Sequence, residues 1–227
     1  MTITGISSMA TRAVLADLAA AFERRTGCGV AFESVGGVDA AKRVEAGEPF
    51  DVVVLASDAL DRLLAAGHVV PGTRVDVTQS GVAVAVPADA PRPDIASEEA
   101  VRRAVLAARR IGYSTGPSGT ELNRLFARWG IAGEVAPRMV QARAGVPVAA
   151  LVASGEADLG FQQYAEMMSA PGIAVLGTLP PPIAIVTTFA GGVSAAAREP
   201  AHARELLAFL ASPDAADAKR RHGMQPA

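Results

Sequence analysis

The sequence lacks most of what marks a metal centre, a disulfide scaffold or a nucleic-acid surface. It has one cysteine, Cys28, among 227 residues. That excludes a disulfide within the chain and any cysteine-based metal cluster, and a lone Cys opening a strand reads as a small core residue. Aromatic residues make up only 4%, so the core has to be built from Val, Leu, Ile and Ala. The formal net charge is −2. Nucleic-acid phosphates call for a basic face, so no nucleic-acid partner is expected. No apolar run approaches the roughly 20 residues of a membrane span, so no membrane insertion is expected either. His68, His202 and His222 are scattered, and none has a second ligand at zinc spacing. A Gly-rich phosphate loop with Lys, a His-Glu-x-x-His and a Gly-x-Ser-x-Gly are all missing. Nucleotide hydrolysis, zinc proteolysis and α/β-hydrolase chemistry are therefore poor fits. Neither a metal nor a cofactor is expected.

What is present is apolar: half the residues are hydrophobic, enough for a large core. The chain opens Met1-Thr-Ile-Thr-Gly-Ile-Ser7 and goes straight into a strand, without a basic segment or a long apolar one. On that reading the protein is cytoplasmic as the sequence stands, and periplasmic if a leader has been removed.

Apolar patterning predicts strict alternation through the first third. Strands fall at Thr2 to Ser7, Val30 to Ser34 and Phe50 to Leu55. Helices fall at Thr11 to Arg25, from Gly36-Gly37 to about Glu45, and after Ser57. The run Phe50-Asp-Val-Val-Val-Leu55 is short and continuous, as in a strand buried on both faces of a parallel sheet. The rhythm changes at Gly81-Val-Ala-Val-Ala-Val86, a strand ended by Pro87 and followed by a connector stiffened by Pro91 and Pro93. Ser97-Glu-Glu opens a helix to about Arg110. Further strands are predicted at Pro137 to Gln141, Leu159 to Phe161, Ile173 to Leu176 and Ile183 to Thr188. The helix after Pro147 ends at Gly155, and the tail is helical over Ala201 to Ala211 and Asp214 to His222. No internal sequence repeat is evident. The expected fold is α/β with two lobes, two mainly parallel sheets flanked by helices. Lobe I takes residues 1–82 plus 186–227 and lobe II takes 83–185. Hinge crossings are expected near 81–87 and 183–190.

The stretch Gly112-Tyr-Ser-Thr-Gly-Pro-Ser-Gly-Thr-Glu-Leu-Asn-Arg-Leu-Phe126 reads as strand end, tight polar loop and amphipathic helix, with Ser118 placed as the N-cap. Leu122, Leu125, Phe126 and Trp129 form its apolar stripe. Free N–H groups, the helix dipole and the hydroxyls of Ser114, Thr115, Ser118 and Thr120 converge there, which suits a small anion. An ordinary capped helix after a strand accounts for the same residues. Ligands of open α/β sheets bind beyond the carboxyl ends of the strands. The corners Ser7-Ser8, Gly36-Gly37, Gly116 to Thr120 and Val146-Pro147-Val148, with the Gln162-Gln163 pair, are therefore expected to line a cleft between the lobes.

Several stretches carry a resemblance. They are Ser7-Ser8-Met9, Phe22-Glu-Arg-Arg-Thr-Gly27, Phe50-Asp-Val-Val-Val54, Gly81 to Pro87, Ala149 to Gly160, and Phe209-Leu-Ala-Ser-Pro-Asp-Ala-Ala216. Nearly the whole chain resembles the type II periplasmic substrate-binding proteins, and within them the molybdate-binding group. That resemblance implies a tetrahedral oxyanion held by hydroxyls and N–H groups. It also implies an ABC permease and ATPase as partners if the protein is a transporter component, and a monomer that closes by hinge motion. Carried over, the family's first serine falls on Ser7 or Ser8. Its second falls on Gly37, which has no hydroxyl. Its N–H pair falls on Pro147-Val148, where only Val148 can donate, and its tyrosine falls near Gln163. The expected ligand contacts are Ser7, Ser8, Gly37, Ser118, Gly119, Thr120, Val148, Gln162 and Gln163, with Arg143 as a charged clamp. Two glutamines, Ser118, Thr120 and Arg143 suit a planar carboxylate at least as well as molybdate. The chain is also similar to aconitate isomerases, enzymes of the same fold and length that move a proton along a small unsaturated tricarboxylate. The sequence singles out no catalytic base. Three readings stay open: an anion-binding transport component, an isomerase, and a cytosolic ligand sensor.

Overall fold

The computed structural model describes residues 2–143 and 145–227. Met1 and Ala144, the latter inside the predicted Arg143–Pro147 loop, lie outside the described residues. In chain order the elements are β1 (Thr2–Ser8), α1 (Arg12–Thr26), β2 (Gly29–Val35), α2 (Gly37–Glu45), β3 (Val52–Ala56), α3 (Ser57–Ala65) and β4 (Val75–Pro87). Then come α4 (Glu98–Ala107), β5 (Ile111–Tyr113), α5 (Pro117–Arg128), α6 (Ala132–Val135), β6 (Met139–Gln141), α7 (Val148–Ala153), β7 (Leu159–Gln163) and α8 (Tyr164–Met167). The chain closes with β8 (Ile173–Thr178), β9 (Val186–Val193), α9 (Pro200–Ala211), α10 (Ala216–Arg221) and β10 (Gln225–Pro226). It divides into two compact units, Met1–Gln79 with Thr188–Ala227, and Ser80–Thr187.

In the first unit the strand order is β2-β1-β3-β9-β4, with β10 on β4. β1 runs parallel to β2 from Thr2 opposite Gly29 to Ser8 opposite Val35. It is also parallel to β3, with Ser7 opposite Val54. β9 is antiparallel to β3. All five residues of β3 are buried, as expected for a strand covered on both faces. One face packs Ile6, Val53 and Leu55 against Ala40 and Val44 of α2 and Leu60 and Leu63 of α3. α1 buries Val14, Leu15, Leu18 and Phe22, and the Phe22 ring meets Phe209 of α9 at 5.7 Å. α9 lies so close on β9 that a Cβ at Gly191 would stand 2.6 Å from Leu207. The start of this unit is tied by Asp51, 2% exposed. Its carboxylate accepts from the Thr4 N–H (2.8 Å), the Thr4 hydroxyl (2.9 Å) and the N–H groups of Arg198 (2.8 Å) and Glu199 (2.9 Å).

In the second unit the order is β6-β5-β7-β4, with β8 on the other side of β4. β5 is parallel to β6 and to β7, and β7 is antiparallel to β4. β4 shows why its two faces differ. Val82, Val84 and Val86 pack with Val101, Leu122, Phe126 and Phe161, under α4 and α5. The alternate residues Ala83 and Ala85 are small and admit α7, with Val148, Leu151 and Val152.

Both units therefore use one arrangement: second strand, first strand, third strand, then an antiparallel neighbour. The repeat is one of topology, not of sequence. The backbones at equivalent corners agree closely. Gly36 (φ −54°, ψ 136°) and Pro147 (φ −71°, ψ 145°) end the second loops. Ala56 (φ −54°, ψ 138°) and Gln163 (φ −53°, ψ 132°) end the third strands. Four predicted details are corrected. β4 begins at Val75, because Asp76, Thr78, Gln79 and Ser80 interrupt the apolar run without breaking the strand. The last crossing strand starts at Val186, after a 3-10 turn at Pro181–Ile183. Gly116, not Ser118, caps α5, since Pro117 suits the first helical position. The cap of α3 is Ala56 and Ser57 is its first residue.

Candidate functional site

Parallel strands put the start of every following helix at the same end of the sheet, so each unit gathers three corners there. In the first unit these are Ser8, Gly36-Gly37 and Ala56-Ser57. The neighbouring serines Ser7 and Ser8 separate. The Ser7 hydroxyl shares a 2.8 Å hydrogen bond with the Ser34 hydroxyl on β2. The Ser8 carbonyl accepts from the Thr11 hydroxyl at 2.9 Å. Its own hydroxyl is buried and has no partner among the described residues. Gly37 opens α2, and a Cβ added there would lie 3.6 Å from the Ser8 Cβ. The Ser8 hydroxyl and the free N–H groups of the first turn of α2 thus share one corner. Val38, the second residue of that helix, is 53% exposed.

In the second unit the corners follow β5, β6 and β7. After β5, the Ser114 and Ser118 hydroxyls lie 2.9 Å apart. α5 packs directly on this turn: a Cβ at Gly119 would stand 2.0 Å from the Ser114 carbonyl oxygen. Only glycine fits there. Thr120 is exposed and makes no side-chain hydrogen bond among the described residues. After β6, Arg143 and Val146 are exposed and Pro147 caps α7. The Val148 N–H, the one donor expected of this corner, is already taken: it donates to Gln162 Oε1 at 2.8 Å. Gln162 Nε2 in turn donates to the Glu166 carboxylate. The two glutamines divide as the two serines do. Gln162 is committed at both ends. Gln163 Nε2 donates to the Thr187 hydroxyl at 2.6 Å, and its Oε1 is buried without a partner among the described residues. Turning that amide over lets Oε1 accept from Thr187 and frees an N–H donor instead.

Sequence reasoning missed three groups. Ser80 carries a buried hydroxyl without a partner among the described residues, inside the part of β4 that the apolar pattern did not reveal. Ser34 is bonded to Ser7 across a sheet pairing that only the fold creates. Glu166 is the third. Burial pushes its carboxyl up to about 7, although the bond from Gln162 pulls the other way. The only sequence signal was the i, i+4 spacing of Gln162 and Glu166, which many unrelated pairs share. Among the described residues no group of three or more His, Cys, Asp or Glu side chains is placed to hold a metal ion. No helix among them is long and apolar enough to cross a membrane.

Two α/β units of one topology, with hydroxyls and N–H groups at the strand ends, define a solute-binding architecture of the type II periplasmic binding-protein fold. The chain belongs to the bacterial extracellular solute-binding protein family, whose model matches residues 3–225. It is 38% identical over 233 residues to an aconitate isomerase from a Pseudomonas species, covering 99% of this chain and 88% of the relative. Among solved structures it is similar to the periplasmic molybdate-binding protein of Azotobacter vinelandii. There the TM-score is 0.82 at 21% identity, with 98% of each chain covered. It is also similar to the sulfate-binding protein of Mycobacterium tuberculosis, with a TM-score of 0.81 at 16% identity over 100% of this chain and 87% of that one. At those identities the two structures speak for the fold alone.

Proposed function

We propose that this protein is an isomerase of a small unsaturated polycarboxylate, of the aconitate type. The observation that carries the reading is the 38% identity to an aconitate isomerase across 99% of the chain. The corners are consistent with it. Gly37 supplies no hydroxyl where the molybdate-binding pattern has one, and the tyrosine of that pattern falls near Gln163. In the first unit Val38, and in the second Val146, is an exposed apolar side chain next to a polar corner, and each suits a carbon skeleton better than a compact inorganic anion. Hydroxyls and amides can hold carboxylates, and they stabilise charge that develops on them during proton transfer.

A second reading is a binding component that delivers a small anion to an ABC permease and ATPase, favoured by the family match over residues 3–225. Two measurements separate the readings. Purified protein is incubated with cis-aconitate and the trans isomer is followed by proton NMR. In parallel, thermal melting is recorded with cis- and trans-aconitate, other di- and tricarboxylates, molybdate, tungstate and sulfate. Conversion establishes the isomerase. A saturable melting shift with a ligand and no conversion establishes the binding component. No conversion and no shift with any of them refutes both.

A further inference from the structure

Among the described residues no charge balances the carboxyl of Glu166. α8 packs on β7 and β8. β7 reads Leu-Gly-Phe-Gln-Gln and β8 reads Ile-Ala-Val-Leu-Gly-Thr, with no ionisable side chain in either. α7, whose first N–H is bonded to the same glutamine, reads Val-Ala-Ala-Leu-Val-Ala. On α8 itself the only other ionisable group is Tyr164. The next residue, Met167, is fully buried in the apolar cluster of Ala83, Ala85, Val148 and Val152.

The other perturbed carboxylates are treated differently. Glu33 and Glu48 meet Arg43, Asp158 meets Arg109, and Asp51 takes three N–H groups, and all are held below the ordinary carboxylate range. A glutamate three residues into a helix ordinarily reaches back to the N-cap backbone. Glu166 instead meets a side-chain amide, which is itself anchored on Val148. One hydrogen-bonded chain, Val148 N–H to Gln162 to Glu166, fixes the carboxyl where β6 and β7 end.

We propose that Glu166 is the group that takes and returns the proton in the isomerisation, and that Gln162 is its positioning residue. The inference rests on the isomerase reading above. In the step, the Glu166 carboxylate takes a proton from the substrate's methylene carbon. The C–H electron pair becomes the new C=C bond. The old C=C pair moves to its far carbon, which takes the proton back from the Glu166 carboxylic acid. The double bond has moved by one carbon, no electrons are gained or lost, and cis and trans isomers exchange. A base for this work is most effective when it titrates near the working pH, and burial in neutral surroundings gives Glu166 that property.

The test compares wild type with Glu166→Gln, which keeps the shape and removes the base. Expected for the variant is a loss of about 100-fold or more in kcat, the range of general-base catalysis. KM and the melting shift with trans-aconitate should change by less than about 3-fold, since only the chemical step loses its group. Wild type in D2O should place deuterium in the substrate methylene, and the variant should not. For wild type, kcat should fall about tenfold per pH unit below about pH 7, because the base must be ionised. Wild type that converts cis-aconitate alongside an equally active Glu166→Gln overturns this inference alone. Wild type that converts nothing overturns the function reading with it. If the variant does not fold, the wild-type profile decides: kcat flat between about pH 5.5 and 8.5 overturns the assignment.

Discussion

Ser8→Ala makes a prediction with two opposite signs. The Ser8 hydroxyl is buried, at 8% residue exposure, and has no partner among the described residues. Burying a hydroxyl that no protein group engages costs up to about 1–3 kcal/mol. Removing it leaves a void of about one atom, which offsets part of the gain, so the unliganded variant should be about 0.5–2 kcal/mol more stable than wild type. For a chain of this length that is a rise in Tm of about 1–8 °C. Ligand affinity should move the other way. A hydrogen bond to a charged group contributes about 1.5–3 kcal/mol, so on the proposed function the Kd for a carboxylate ligand should rise about 10–150-fold. Calorimetric melting without ligand and titration calorimetry with trans-aconitate read the two effects separately. A variant that melts lower without ligand would show that the hydroxyl has a partner. A variant with unchanged Kd would show that it does not reach the ligand. Either result refutes the idea of a donor held in reserve.

Asp51→Asn should lower stability by about 3 kcal/mol, because a neutral amide cannot accept from four donors as a carboxylate does. The folded carboxyl is held below its ordinary value: burial works upward, and the bonds from Thr4, Glu199 and Arg198 outweigh it. Its contribution is therefore full above the unfolded pKa of about 3.9 and lost as pH falls through the folded value. Urea midpoints between about pH 3 and 6 should show a shallower acid limb in the variant, and parallel curves would contradict this. Lys219 is 1% exposed, has no ion-pair partner among the described residues, and burial lowers its pKa. The unfolded chain then binds the extra proton, so wild-type stability should rise with pH until about 10.5. Lys219→Met should add about 1–3 kcal/mol at pH 7 and remove that rise, both read from urea unfolding.

Much of the fold was legible because apolar spacing is a local property. The alternating strands and helices, the corners after Ser8, Gly36 and Pro147, and the Ser97 cap all follow from short windows of residues. The Ser97 hydroxyl does accept from the Ala100 N–H, at 3.2 Å. The candidate site was legible only as a set of positions. Ser7 and Ser8 look alike in the chain, as do Gln162 and Gln163. Which member of each pair is engaged depends on Ser34, Val148, Glu166 and Thr187, residues brought up by strand pairing or by a neighbouring helix.

By itself the sequence determined the α/β class and the strand ends that carry hydroxyls and amides. Those features are written in residue type and spacing. Only the tertiary structure decided that, among the described residues, Ser8 keeps an unengaged hydroxyl, Val148 has already spent its donor, and Glu166 sits among neutral neighbours. Burial and partnership are set by segments far apart in the chain. A carboxyl's affinity for its proton follows from which of them surround it.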